Sequence, residues 1–294
     1  MRTRRNFQKF LVIALLAVLL SCTPPQTVAT FAGAAGQAID GGTPVFRDLY
    51  DSCVRRHNDA ADIIPTYSVN AKAPSSPTAP EASACAVFAG ERDSLIKLSA
   101  VLNDYFQAMQ QLAQFGASSV NPAAVEAGSG TATAASLSVA QMDSVSKLSG
   151  LLVEAFTSRY QRGRLATLLK SADPHVAVTT QGLEKIVGSD YGSLLDEEQR
   201  TLKRRYQRAG NTSDAAVILL LDRAYSEDLQ ELEQRRASAT AFVKALREIR
   251  DGHSKLAGNA GHMNAQKLGL ALEPYISQLQ TLTSQMENAS KGTH

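Results

Sequence analysis

The stretch LIKLSAVLNDYFQAMQQL, residues 95–112, sets Leu95, Leu98, Leu102, Tyr105, Met109 and Leu112 at alternating steps of three and four. Side chains three and four apart share one face of an α-helix, so this spacing draws a single apolar stripe. A stripe that repeats every seven residues packs against its neighbours at the shallow crossing of coiled coils and bundles. The same pattern returns at Leu268, Leu272, Tyr275, Leu279, Leu282 and Met286, with Pro274 inside it as an expected kink. Weaker stripes run through Val145, Leu148, Leu152 and Phe156, and through Val176, Leu183, Ile186 and Leu194.

The longest element is expected to start at an N-cap, Ser213, followed by Asp214, and to run to about Gly258. At about 1.5 Å per residue it reaches about 65 Å, which makes the molecule elongated. Its stripe is Ile218, Leu221, Tyr225, Leu229 and Leu232, then Ala239, Phe242, Leu246, Ile249, His253 and Leu256. Arg235 interrupts that stripe and Asp228 lies beside it, so the middle of the helix is expected to pack less tightly than its ends. The run AAVILLLDRAY, residues 215–225, has only seven consecutive apolar residues before Asp222. A membrane span needs roughly 20, and the run is expected to be bundle core. Asp173 before Pro174 reads as a helix cap with proline at the first helical position. Alternating β-branched runs never exceed a few residues, so strand evidence is negligible. The expected fold is all-α, an elongated up-and-down bundle of about five or six helices with coiled-coil-like packing.

Composition sets the remaining boundaries. Residues 70–84 are rich in Pro and Ser, and residues 116–136 in Gly and small side chains, so both read as loops within a bundle domain spanning 44–289. Residues 22–43, rich in Ala, Gly and Thr, read as a flexible tether with at most a short helical turn, and 290–294 as a disordered tail.

The amino terminus has a different character. Arg2, Arg4, Arg5 and Lys9 precede an apolar run from Leu11 to Leu20 and a small residue, Ser21. This is the three-part layout of a secretory signal, and the run is too short to anchor by spanning. The tetrapeptide Leu19-Leu20-Ser21-Cys22 resembles the lipobox of bacterial lipoproteins. The resemblance covers residues 1–22 only. It implies that residues 1–21 are a signal peptide, that the Cys22 thiol is acylated, and that Cys22 becomes the first mature residue. Several acyl chains on one residue hold a protein firmly where one chain binds marginally. Thr23 is not the aspartate that marks inner-membrane retention in such proteins, so the resemblance points to the periplasmic leaflet of an outer membrane. The competing reading of these residues is an ordinary secretory leader cut further along, with Cys22 lost.

Removing the leader changes the charge. Four of the 30 basic residues lie in it, leaving 26 against 28 acidic ones, so the formal +2 of the whole chain becomes about −2. A near-neutral mature surface supplies no field for nucleic acid. The one basic concentration, Arg200 to Arg208, follows Asp196-Glu197-Glu198 and reads as paired charge on a solvated helix.

Cys53 and Cys85 are the two cysteines beyond the leader, and an oxidising compartment favours joining them. Their separation is unlike the Cys-x-x-Cys of redox enzymes. Metal and nucleophile motifs give no lead. His57, His175, His253, His262 and His294 never stand three or four apart, and no Glu-x-x-His, His-Glu-x-x-His, Gly-x-Ser-x-Gly or phosphate loop occurs. No metal or cofactor is therefore expected, nor a catalytic residue. His253 stands on the apolar stripe beside Gly252, whose missing side chain would let another helix approach. With Tyr225 it forms the candidate interhelical polar site, and the bland reading is a packed histidine sharing its proton with a polar neighbour. Two functions fit: an anchored structural or interaction module whose partner is an envelope protein or a second copy, or a module or enzyme holding a small apolar ligand between helices. A cavity lined by His253 or Tyr225 would favour the second, a filled core with an exposed apolar strip the first.

Overall fold

The structure, a computed structural model, describes residues 24–61, 85–115, 138–157, 163–210, 214–260 and 265–291. They contain α1 (Pro24–Ala61), α2 (Ala86–Phe115), α3 (Val139–Thr157), α4 (Gly163–Lys185), a π-turn (Ile186–Tyr191), α5 (Gly192–Ala209), α6 (Ala215–Asn259) and α7 (Ala265–Lys291). α4, the π-turn and α5 follow one another without a break, so the described residues form six rods and no strand. The fold is an all-α bundle. The proposed signal peptide, Cys22 and the loops at 70–84 and 116–136 lie outside the described residues, as do His262 and His294.

α1 is the axis of the bundle, packing against α2, α5, α6 and α7, while α6 also packs on α4 and α7, and α3 bridges α2 and α4. This overturns the reading of residues 22–43 as a tether, because α1 begins at Pro24 and its first half is core. Val28, Phe31, Ala35, Ala38 and Ile39 are buried. The paired prolines begin the helix, where a missing N–H costs nothing. The small residues that imitate a linker let neighbouring helices close in. A Cβ on Gly42 would run into the Phe242 ring, and one on Gly252 into Phe31. Pro44 lies within α1 and Pro174 within α4, so Asp173 is no cap. The cap of α6 is Asp214, not Ser213: its carboxylate accepts from the backbone N–H of Ala216 and Val217. α7 continues to Lys291, into the expected tail.

The stripes at 95–112 and 268–286 are core, with Leu95, Leu98, Leu102, Tyr105 and Met109 buried on α2 and Leu268, Leu272, Leu279, Leu282 and Met286 on α7. Each such side chain removed from water is worth about 1.5 to 3 kcal/mol. Phe46 and Phe242 meet edge to face at 5.3 Å where α1 crosses α6. α6 departs from expectation at both points of interest. Its middle is tightly held, with Leu232 fully buried and the Arg235 side chain 11% exposed. Its first turns, expected to be core, are in solvent: Leu219 is 72% and Leu220 67% exposed.

Candidate functional site

Two buried polar centres and one bare apolar end stand out on this scaffold. The first centre is His253 on α6, fully buried between α2 and α4. Its Nε2 lies 2.7 Å from the Tyr105 hydroxyl and its Nδ1 3.0 Å from Asp173 Oδ1. A carboxylate only accepts, so Nδ1 carries a proton and the ring is fixed in orientation. Tyr105 and Phe106 close over it, with ring centroids 5.6 and 6.2 Å away. Asp173, expected to cap a helix, instead reaches across to α6. Acid–base work needs a substrate within hydrogen-bond reach, and the 0% exposure of His253 leaves its ring no open side. Tyr225 is not part of this centre. It stands 28 residues earlier on the same helix, about 42 Å away, with its ring 5.2 Å from that of Tyr206.

The second centre brings together Asp48, Ser52 and Arg55 of α1, Tyr191 at the end of the π-turn, Glu198 of α5 and Arg235 of α6. The Glu198 side chain, 4% exposed, accepts from Ser52 Oγ at 2.6 Å, Arg55 Nε at 2.7 Å and Arg235 Nη1 at 2.9 Å. Asp48 accepts from Arg55 Nη2 at 2.7 Å and from the Tyr191 hydroxyl at 2.5 Å. Two carboxylates face two guanidinium groups, so the charges balance. Burial alone would weaken the hold of Arg55 on its proton, but Asp48 and Glu198 outweigh it and push its pKa upward. Burial, reinforced by the Asp48 carboxylate, also pushes the Tyr191 phenol well above its usual range. Both groups are locked in single protonation states, and the centre works as a cross-brace between α1, α5 and α6. The π-turn, a geometry often kept for a specific purpose, delivers Tyr191 to that brace.

Beside the brace, Cys53 and Cys85 are joined, Sγ to Sγ, linking α1 to the start of α2. One ring nitrogen of His57 and the two sulfurs lie within 4.8 Å of one another. With the sulfurs bonded to each other they offer no thiolate. After reduction, Cys53 and His57 on one helical face and Cys85 opposite would present the donors that suit zinc. The signal was in the sequence as Cys53-x-x-x-His57, one helical turn apart. The brace had a signal too, since an arginine at a core register position requires a buried carboxylate partner. Which carboxylate it meets is a tertiary matter.

A shallow, solvent-open groove of about 530 Å³ runs between α6 and α7, lined by Asp251, Ser254, Lys255, Gly258, Asn259 and Tyr275. It includes no member of either polar centre. Among the described residues no helix is long and apolar enough to cross a membrane.

The apolar end is the beginning of α6. Val217, Leu221, Ala224, Tyr225 and Asp228 are half-buried and mark its inward side, while Ile218, Leu219 and Leu220 face water. Asp196 pairs with Arg236, and Tyr206 with Asp228, so α5 and α6 form an antiparallel hairpin. Extrapolated along that pairing, the last residue of α5, Ala209, falls opposite Ala224, and the residues of α6 before it extend beyond α5. α1 is antiparallel to α6 as well, with Phe31 near Gly252, and Arg55 sharing Glu198 with Arg235. The apolar end therefore lies at the opposite end of the bundle from the start of α1.

No protein-family model, characterised protein or solved structure matches this chain.

Proposed function

We propose that this chain is a lipid-anchored structural or protein-interaction module of the cell envelope, held through Cys22 in the periplasmic leaflet of an outer membrane and presenting the α5–α6 hairpin at its far end. The observation that carries this reading is the bare end of α6. Three large apolar side chains face water side by side there, whereas the exposed Val87, Val139 and Leu270 stand singly on other helices, and adjacent exposed apolar side chains favour an interaction site over isolated ones. The layout of the molecule supports the anchored arrangement. Cys22 is two residues from the first turn of the central helix, so acyl chains there would hold the bundle close to the bilayer. The 33 residues from Leu219 to Gly252 rise about 50 Å along α6, which carries the hairpin that far from the anchored end. His253 supports the same reading over a ligand-binding one, since both of its nitrogens are engaged and the ring is fully buried.

The test has two arms. The intact mass of membrane-extracted protein should exceed the mass of residues 22–294 by a triacyl increment, and Cys22→Ala should abolish it. A photo-reactive residue at Leu220 should form a specific protein adduct in intact envelopes. The reading fails if the mass shows a leader cut after Cys22, or if Leu220 yields no protein adduct.

A further inference from the structure

We infer that the α5–α6 hairpin is a self-association surface, and that its partner is the same hairpin of a second copy of this chain, lying alongside with a two-fold axis along the hairpin. This rests on the interaction-module reading and specifies its occupant.

The first support is the apolar end itself. Ile218, Leu219 and Leu220 wrap about 200° of a helical turn that extends past the end of α5, so their apolar surface is open for a second helix to cover. The second is charge. On α5 the exposed charged residues from Arg200 onward are basic, namely Arg200, Lys203, Arg204 and Arg208, whereas the first half of α6 exposes Asp222, Glu227 and Glu233 against one cation, Arg223, which pairs with Glu227. One hairpin thus carries both halves of a complementary pair. A two-fold packing of two hairpins sets each basic α5 beside the acidic α6 of the other copy and brings the leucines together near the axis. That is a self-complementary, closed interface, with rim charges that fix its register. The third is placement. A two-fold axis along the hairpin puts both copies the same way up, so two chains anchored at Cys22 in one membrane can pair without bending. The apolar end stands at the end of the bundle away from that membrane, and the acidic α6 would be repelled by anionic lipid. The seven-residue apolar run that opens α6 is only about 10 Å long, short of a standard stable interface. The dimer is therefore weak in dilute solution and formed where anchoring concentrates the chain.

The experiment is oxidative cross-linking of detergent-extracted Leu220→Cys protein, followed across protein concentration, with the unsubstituted chain and Ala237→Cys as controls. Leu220 and Ala237 are both exposed, so neither change threatens folding. The native Cys53–Cys85 pair is already bonded and buried. A disulfide-linked homodimer that forms with Leu220→Cys, rises with concentration and is absent from both controls supports the proposal. Lys203→Glu/Arg204→Glu should lower its yield about tenfold at low salt, as should Asp222→Lys/Glu227→Lys, and mixing the two reversed chains should restore it. A chain that stays monomeric at every concentration overturns the second-copy assignment. In that event an adduct of Leu220 with a different envelope protein leaves the interaction-module reading standing. Insertion of Leu220→Trp into phosphatidylglycerol vesicles, visible because the chain has no other tryptophan, would overturn both in favour of a lipid contact.

Discussion

The two halves of α6 have the same apolar periodicity and opposite fates. From Leu232 to Ala257 the helix buries Ala239, Phe242, Leu246, Ile249 and Leu256 and is pinned by Arg235 at one end and His253 at the other. From Ala215 to Glu231 no residue is fully buried, and the packing is against α5, with Tyr206 on Tyr225 and Asp228. Burial depends on what lies opposite. α1 runs beside the second half along most of its length, so the stripe there has something to enter. The start of the first half extends beyond the end of α5, and Leu219 and Leu220 there meet water. Periodicity specifies which side of a helix could be buried, and neighbouring helices decide whether it is.

Substitutions should reproduce this contrast, strongly in the braced half and faintly in the bare one. Glu198→Leu removes the acceptor shared by Arg55, Arg235 and Ser52 and leaves two guanidinium groups short of a partner. Arg55 is a third exposed and keeps Asp48, so the loss comes mainly from Arg235 and is expected near the lower end of about 3 to 5 kcal/mol, measured by urea unfolding. Replacing Cys53 and Cys85 together by serine reopens a loop with a separation of 32 residues. By chain entropy this costs about 3 to 4 kcal/mol, and a calorimetric midpoint unchanged from the native chain would contradict it. Tyr105→Phe leaves His253 Nε2 buried without its hydroxyl, for about 1 to 3 kcal/mol, while Tyr225→Phe should cost far less; equal losses would erase the distinction between the two tyrosines. Leu219→Ser with Leu220→Ser should shift the unfolding free energy by less than about 0.5 kcal/mol, because those side chains already face water.

The smallest effect is on pH dependence. Burial raises the carboxyl pKa of Asp40, Glu91, Asp104 and Glu248, with neighbouring acids adding to the last three and an Asn103 hydrogen bond partly opposing it at Asp40. A folded-state pKa above the unfolded value means that the native chain takes up these protons first. Stability from these groups therefore rises as pH falls below neutral and levels off once the unfolded carboxyls also protonate, near pH 4. His175 acts in the opposite sense, since burial and Lys147 lower its pKa, with Asp143 partly opposing. A His175→Asn chain should accordingly show a slightly higher urea midpoint at pH 5 than at pH 7, and a fall between those values would contradict the assignment.

His253 shows how far the sequence could be read. Its place on the stripe beside Gly252 suggested a packed histidine with a polar neighbour and a closely approaching helix, and Phe31 is that approach. Neither partner of the ring was legible, because Tyr105 had been counted as apolar stripe and Asp173 as a cap. Residues 24–43 failed in a more instructive way. Alanine and glycine imitate a linker when counted by composition, yet the same small side chains allow the closest helix packing, so the segment became the axis of the bundle. Arg235 differs for a related reason: a charge within a stripe reads as loosened packing, yet the buried Glu198 from another helix pairs with it and holds the middle of α6 in place.

The amino-acid sequence alone determined the helical class, the faces of α2 and α7, the extent of α6 and the two cysteines available to pair, since each follows from local periodicity, capping chemistry or residue count. Tertiary structure alone decided that the small-residue segment is central, that Glu198 and Asp48 satisfy the arginines, and that the most apolar run of the long helix is left in water. Those outcomes depend on which helices lie side by side and where each one ends, and no local pattern of residues encodes either.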